Sequence, residues 1–248
     1  MSIKLPLLVA HRGASGSAPE NTMAAFRLAL EMKVHGIELD VHMSRDGAIV
    51  VIHDSRVDRT SNGRGKVGAM TLPELQSLDA GSWFNAAFPQ RARPEYACQR
   101  IPTLNEVMQL VRNQVRLYIE IKDPDLYPDS LESELLSIVR QHGMQEHVIF
   151  LSFNRGALRK MRELDSAIPT ALLVSRPAID PVKAALSLHA NGLAVLHSLI
   201  TPALATKTLR AGLSLIAWTV DKPKDLSRMM AAQVNSIITN YPGRFTSP

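Results

Sequence analysis

The chain has 248 residues, 46% hydrophobic and 21% charged, with a formal charge of +5 at pH 7. A chain of this length buries roughly three quarters of the surface that its unfolded form exposes, and the composition excludes a disordered, collagenous or coiled-coil protein. No apolar run approaches the ~18 residues of a bilayer-spanning helix, so stable membrane insertion is not expected. The single cysteine, Cys98, excludes an intramolecular disulfide and fits a reducing location such as the cytoplasm.

In chain order, Leu5 to Ala10 is apolar but too short for a secretory leader, and it runs straight into His11-Arg12-Gly13. It is expected to form the first strand, from Leu7. Further short runs follow at Ile37 to Val41, Ile49 to Ile52, Leu117 to Ile121, Val148 to Leu151, Thr170 to Val174, Gly192 to Leu196, Ser214 to Val220 and Ser236 to Thr239. They are rich in Val, Ile and Leu without clean alternation, the pattern of strands covered on both faces. Helical spacing separates them. Met23, Phe26, Leu30 and Val34 share a face behind an N-cap at Asn21 or Thr22. Leu104, Val107, Met108 and Val111 repeat it, as do Leu131, Leu135, Ile138 and His142. Pro223 suits the first turn of a helix carrying Leu226, Met229 and Met230.

Strands alternating with helices predict a parallel sheet. One pair breaks the alternation. Only Ser44-Arg45-Asp46-Gly47 joins the second and third strands, which is too short for a parallel crossover, whereas Asp-Gly favours a hairpin. Setting the return strand aside leaves eight, and about 250 residues is typical of a (β/α)8 TIM barrel. A doubly wound open sheet is the alternative. A single domain over residues 1–248 is expected, with residues 54–100 inserted at the catalytic face.

Side chains at the C-terminal strand ends of such a barrel face the active site. There lie His11 and Arg12, then Glu38 and Asp40 on one strand face, then Glu120 and Lys122. The hairpin register brings His53 opposite residues 38 to 40. Trp218 fits either the core or a platform for substrate, and is counted with the substrate contacts. Three converging carboxylates repel unless a hard divalent cation neutralises them. Arg12 and Lys122 add positive charge suited to phosphate oxygens. Two imidazoles can move protons near neutral pH. The constellation suits metal-assisted cleavage of a phosphate ester. The other histidines (His35, His42, His142, His147, His189 and His197) are read as structural, with His142 and His189 on apolar helix faces, and Cys98 has no activating neighbour in sequence.

The series Ala10-His-Arg-Gly13, Pro19-Glu-Asn-Thr22, Glu38-Leu-Asp-Val41, Asp46-Gly47 and His53-Asp54 resembles the glycerophosphodiester phosphodiesterases. Arg59 to Gly63, Leu78 to Gly81, Ile101 to Leu104, Glu120-Ile-Lys122, Ser152-Phe153 and Trp218-Thr-Val220 extend the likeness from residue 9 to about 243. The resemblance implies a TIM barrel, Mg²⁺ or Ca²⁺, and hydrolysis of a glycerophosphodiester to sn-glycerol 3-phosphate and an alcohol. It implies catalytic roles for His11 and His53, metal ligation by Glu38, Asp40 and Glu120, and phosphate contacts from Arg12 and Lys122. His53 is open as ligand or acid, and the attacking group as water or the adjacent glycerol hydroxyl. Glu20 is expected to support the site from outside it. Where the family usually has Asn, Asp and Thr, this chain has Asp221, Asn240 and Ser44. A lysophospholipase D-like activity is the rival, resting on Trp83, Phe84 and Phe88 of the insertion. A non-hydrolysing sensor is disfavoured because no histidine or carboxylate is lost. The expected partner is a small anionic diester, not nucleic acid, since no basic stripe carries interleaved aromatics; a homo-oligomer is left open.

Overall fold

The computed structural model describes residues 5–112, 114–122, 131–177 and 180–245. Nine strands form one sheet: β1 (Leu7–His11), β2 (Gly36–Met43), β3 (Ile49–Val51), β4 (Arg116–Ile121), β5 (Val148–Ser152), β6 (Thr170–Val174), β7 (Gly192–Leu196), β8 (Ser214–Trp218) and β9 (Ser236–Thr239). Parallel pairing runs β1-β9-β8-β7-β6-β5-β4-β2, and β1 also pairs β2, which closes an eight-stranded barrel. The open-sheet alternative therefore falls. β3 alone is antiparallel, with Val41 opposite Val51 and Met43 opposite Ile49.

The turn before β3 follows from its residues. Gly47 adopts φ 87°, and the Ser44 hydroxyl donates to Asp46 while accepting the Ala48 N–H. A positive φ costs an ordinary L-residue roughly 1–2 kcal/mol, and glycine little.

Helices α1 (Met23–Glu31), α2 (Leu72–Gln76), α3 (Ser82–Ala87), α4 (Leu104–Val111), α5 (Leu131–Gln141), α6 (Arg155–Leu164), α7 (Pro181–Ser187), α8 (Pro202–Arg210) and α9 (Pro223–Ala231) occupy the connections. Thr22 caps α1 by accepting the Ala25 N–H, and Thr103 with Glu106 makes a reciprocal capping box on α4. The buried face of α1 is Ala25, Phe26 and Ala29, and Val34 packs beyond the helix end.

Strand alternation sorts the interior into two floors. Outward residues such as Ile37, Leu39, Leu117 and Ile119 pack on the helices, each worth roughly 1.5–3 kcal/mol when fully buried. Inward residues Val9, Tyr118, Leu151, Ala194 and Ile216 fill the lower barrel. Toward the mouth the inward positions turn acidic: Glu38 stands opposite Tyr118, at the top of the apolar fill, and one step further Asp40 stands opposite Glu120. Residues 54–100 add α2, α3 and short 3-10 turns, packed around Val57, Val67 and Leu75 with the hairpin, and around Phe84 and Tyr96 with α1.

Candidate active site

β1 ends in a turn that the sequence builds from a left-handed pair. Arg12 has φ 54° and Gly13 φ 77°. A Cβ at Gly13 would lie 2.7 Å from the Ala25 carbonyl carbon, so the close pass over α1 requires glycine. The turn points the Arg12 N–H at Glu38 Oε2, 3.0 Å away.

Glu38, Asp40 and Glu120 converge as the sequence predicts. All three are buried, and one carboxylate oxygen from each lies within 4.8 Å of the others. Arg12 and Lys122 face these carboxylates rather than the open mouth. Arg12 Nε is 3.2 Å from Asp40 Oδ2, Lys122 Nζ is 3.1 Å from Asp40 Oδ1, and Lys122 also pairs with Glu120. Asn21 adds a donor to Asp40 Oδ2 at 2.8 Å, so it serves the site and leaves helix capping to Thr22.

The charges sort unequally. Burial alone would raise Asp40, but the Lys122 and Arg12 cations outweigh it and hold its carboxyl well below the usual range. Glu38 is pushed well above its usual value, by burial and then by Asp40 and Glu120. Glu120 is pushed up to about 7, by burial and then by Asp40. The cluster thus retains protons that a divalent cation would displace, and its buried oxygen donors match what Mg²⁺ or Ca²⁺ prefers. The residues fit such an ion.

His53 sits just beyond β3, where the chain leaves the sheet. Its Nδ1 lies 2.6 Å from Asp54 Oδ1. Arg59 grips Asp54 through Nε at 2.7 Å and Nη2 at 3.0 Å, and grips Glu20 through both terminal nitrogens at 2.9 and 2.8 Å. Glu20 also receives Arg12 Nη1 at 2.7 Å. Glu20 is therefore the knot that ties Arg12 to the 54–100 segment. Arg59, first among several causes, holds the Asp54 carboxyl well below its usual range. Buried His42 supports the same corner, with Nε2 3.1 Å from the His53 carbonyl.

His11 closes the opposite flank. Its Nε2 is 3.8 Å from Glu38 Oε2, and its Nδ1 is 2.7 Å from Asn240 Oδ1. Burial, then the Arg12 cation, lowers its pKa to about 4. Burial likewise lowers His53, with Asp40 opposing.

Trp218 ends β8, four strands around from Glu120 on β4 and so across the mouth. Its Nε1 donates to the Ala194 carbonyl at 3.0 Å, and its ring meets Phe153 edge-on at 5.9 Å. Of the histidines read as structural, neither His142 nor His189 lies on the apolar helix face expected of it: His142 follows α5 and pairs with Asn105, and His189 follows α7 with φ 51°. Asp54, Arg59, Asn240 and Asp221 join the site although the sequence reading gives them no role in it, Asp54 and Arg59 appearing there only within quoted segments and Asn240 and Asp221 only as departures from the family. An Asp beside a candidate histidine and an Arg in the same quoted segment were the available signals for the first two.

A closed parallel barrel with this mouth belongs among the barrel enzymes whose chemistry sits at the C-terminal strand ends. The sequence profile of the Glycerophosphoryl diester phosphodiesterase family matches residues 11–244, and the chain belongs to this family of hydrolases. It is 40% identical over 237 residues to a glycerophosphodiester phosphodiesterase of Caldanaerobacter subterraneus subsp. tengcongensis, covering 95% of this chain and 94% of that one. It is 37% identical over 248 residues to a glycerophosphodiester phosphodiesterase of Bacillus subtilis, covering 96% and 85%. The crystal structure of an Oleispira antarctica phosphodiesterase in complex with the product sn-glycerol-3-phosphate superposes with a TM-score of 0.89 at 29% identity, covering 97% of this chain and 95% of that one. No helix among the described residues is long and apolar enough to cross a membrane.

Proposed function

We propose that this chain hydrolyses glycerophosphodiesters to sn-glycerol 3-phosphate and an alcohol, with a divalent cation held by Glu38, Asp40 and Glu120. The observation that carries the reading is the meeting of those three buried carboxylates between two differently anchored imidazoles. The product bound by the Oleispira relative supports it. A cation held by these carboxylates would supply positive charge to the phosphoryl oxygens of the ester. Arg12 and Lys122, both within reach of the cluster, add charge that grows in value as the phosphoryl oxygens gain electron density.

The two histidines divide the proton work by their anchors. His11 is tied to a neutral amide and is buried beside a guanidinium, which favours its uncharged form. It takes the proton from the attacking group, a water or the adjacent glycerol hydroxyl, as the new O–P bond forms. His53 is tied to the Asp54 carboxylate, which stabilises an imidazolium. It gives a proton to the departing alcohol oxygen as the P–O bond breaks. One water is consumed overall, either as the attacker itself, with His11 and His53 then exchanging their protons through solvent, or in opening a cyclic phosphate, with the two histidines exchanging roles.

The test is release of sn-glycerol 3-phosphate from glycerophosphocholine. Turnover should vanish with EDTA and return with Ca²⁺ or Mg²⁺. His11→Ala and His53→Ala should each lower kcat by about 10²–10⁴. Turnover indifferent to EDTA and to both substitutions would overturn the reading. The lysophospholipase D alternative gains little from the fold. Phe84 is buried against Tyr96, and Trp83 donates to the Ala80 carbonyl, so these rings build a local core.

A further inference from the structure

Three residues from distant parts of the chain form a hydrogen-bonded line: His11 at the end of β1, Asn240 just past β9 and Asp221 past β8. Asn240 Nδ2 lies 2.7 Å from Asp221 Oδ2. Asp221 Oδ1 also accepts the Asn240 N–H at 2.9 Å and the Thr239 hydroxyl at 3.0 Å. A carboxylate meeting three donors is an acceptor only. The amide face turned to Asp221 is therefore its NH2, and the face turned to His11 is its carbonyl oxygen. That oxygen receives the Ser15 hydroxyl at 2.9 Å and lies 2.7 Å from His11 Nδ1. His11 can answer only with Nδ1–H, which leaves Nε2 as the bare nitrogen on the side of Glu38.

We propose that Asp221 is a positioning residue that, through Asn240, locks His11 in its Nδ1–H tautomer with Nε2 free for the proton of the attacking group. The fixed anion stands one residue away from the ring, and a neutral amide passes on its orientation. The catalytic half of this inference rests on the reading of His11 as proton acceptor; the tautomer does not.

Asp221→Asn puts a second NH2 against that of Asn240. The Asn240 amide then turns over, offers NH2 to Nδ1 and drives the His11 proton to Nε2. Combining Asp221→Asn with Asn240→Asp reverses the polarity of the line and restores an acceptor to Nδ1–H. Long-range ¹H–¹⁵N spectra of the His11 ring should show Nδ1–H in the parent protein and the double variant, and Nε2–H in Asp221→Asn. The single variant should lose about 10²-fold in kcat with KM within about twofold, and the double variant should recover. An Nε2–H ring in the parent protein overturns the proposal, and that spectrum decides it even if Asp221→Asn does not fold. So does a single variant with tautomer and kcat unchanged. The expected tautomers, together with a kcat indifferent to His11→Ala, would support the lock and overturn instead the acid–base reading of His11.

Discussion

His53 and Asp54 are neighbours in sequence whose side chains meet at 2.6 Å. Successive residues of a strand point to opposite faces, but β3 stops at Val51, and the bend beyond it swings both groups to the same side. Asp54 is in turn fixed by Arg59. Replacing Asp54 by Asn keeps the shape and removes the charge that stabilises a protonated His53. If His53 is the acid, the alkaline limb of kcat against pH moves to lower pH, because the imidazolium loses its proton earlier. kcat at its optimum falls by about 10²-fold, the lower end of an acid–base contribution. A limb that stays in place would remove His53 from that role.

The cation should bind more weakly in acid. Glu120 is pushed up to about 7, by burial first and Asp40 second, so below neutrality it must shed a proton before serving as a ligand. From Glu120 alone, affinity for Ca²⁺ should drop by about fivefold between pH 7 and pH 6, approaching about tenfold per pH unit further into acid. Titration calorimetry at several pH values, repeated in buffers of different ionisation enthalpy, should report proton release in the acid range. Affinity independent of pH would mean that the three carboxylates are already charged.

Two glycines with positive φ should respond differently to alanine. Gly47, at φ 87°, has open space where a Cβ would go. Gly47→Ala should cost about 1–2 kcal/mol from the strained backbone alone, with turnover intact. At Gly13 the same methyl would stand 2.7 Å from Ala25 backbone. Gly13→Ala should cost more in urea unfolding and should also lower kcat, because the turn it shifts carries His11 and aims the Arg12 N–H at Glu38.

The barrel and most of its mouth were legible because their signals are local. Apolar runs mark the strands, and the short Asp46-Gly47 connection fixes the hairpin register, so His53 was placed by counting. The Ile52 N–H does donate to the Asp40 carbonyl at 3.0 Å. What stayed hidden depends on closure. Asn240 reaches His11 across 229 residues only because β9 pairs with β1. Arg59 reaches Glu20 across 39 residues through a loop with no periodic pattern. The spacing that showed Arg12 and Lys122 near the acids was silent on their direction, and both turn onto Asp40.

Glu120 also costs the metal-free fold stability, in a way that a neutral isostere exposes. Pushed up to about 7 from its usual 4.5, Glu120 lets the folded state hold its proton longer than the unfolded chain does. Stability therefore falls as pH rises from about 4.5 to about 7, by on the order of 3 kcal/mol at roughly 1.36 kcal/mol per pKa unit. His11 works in the opposite sense, since its pKa is lowered from 6.5 to about 4 and the unfolded chain takes up that proton first. The contribution of His11 rises over much the same interval, so in the parent protein these two effects offset one another. Glu120→Gln removes the first effect, together with the part of the rise in Glu38 that Glu120 causes, and leaves His11 as it is. In EDTA, thermal melts of the variant and the parent should agree near pH 4.5, diverge between about pH 4.5 and pH 7 and keep that gap above it, the variant melting higher by several degrees, at about 2–4 °C per kcal/mol for a chain of this size. Ca²⁺ should close the gap by stabilising the parent far more than the variant, which has lost a ligand. A variant that melts lower than the parent at pH 8 in EDTA would show that the Lys122–Glu120 pair outweighs the burial and repulsion assigned to this carboxylate.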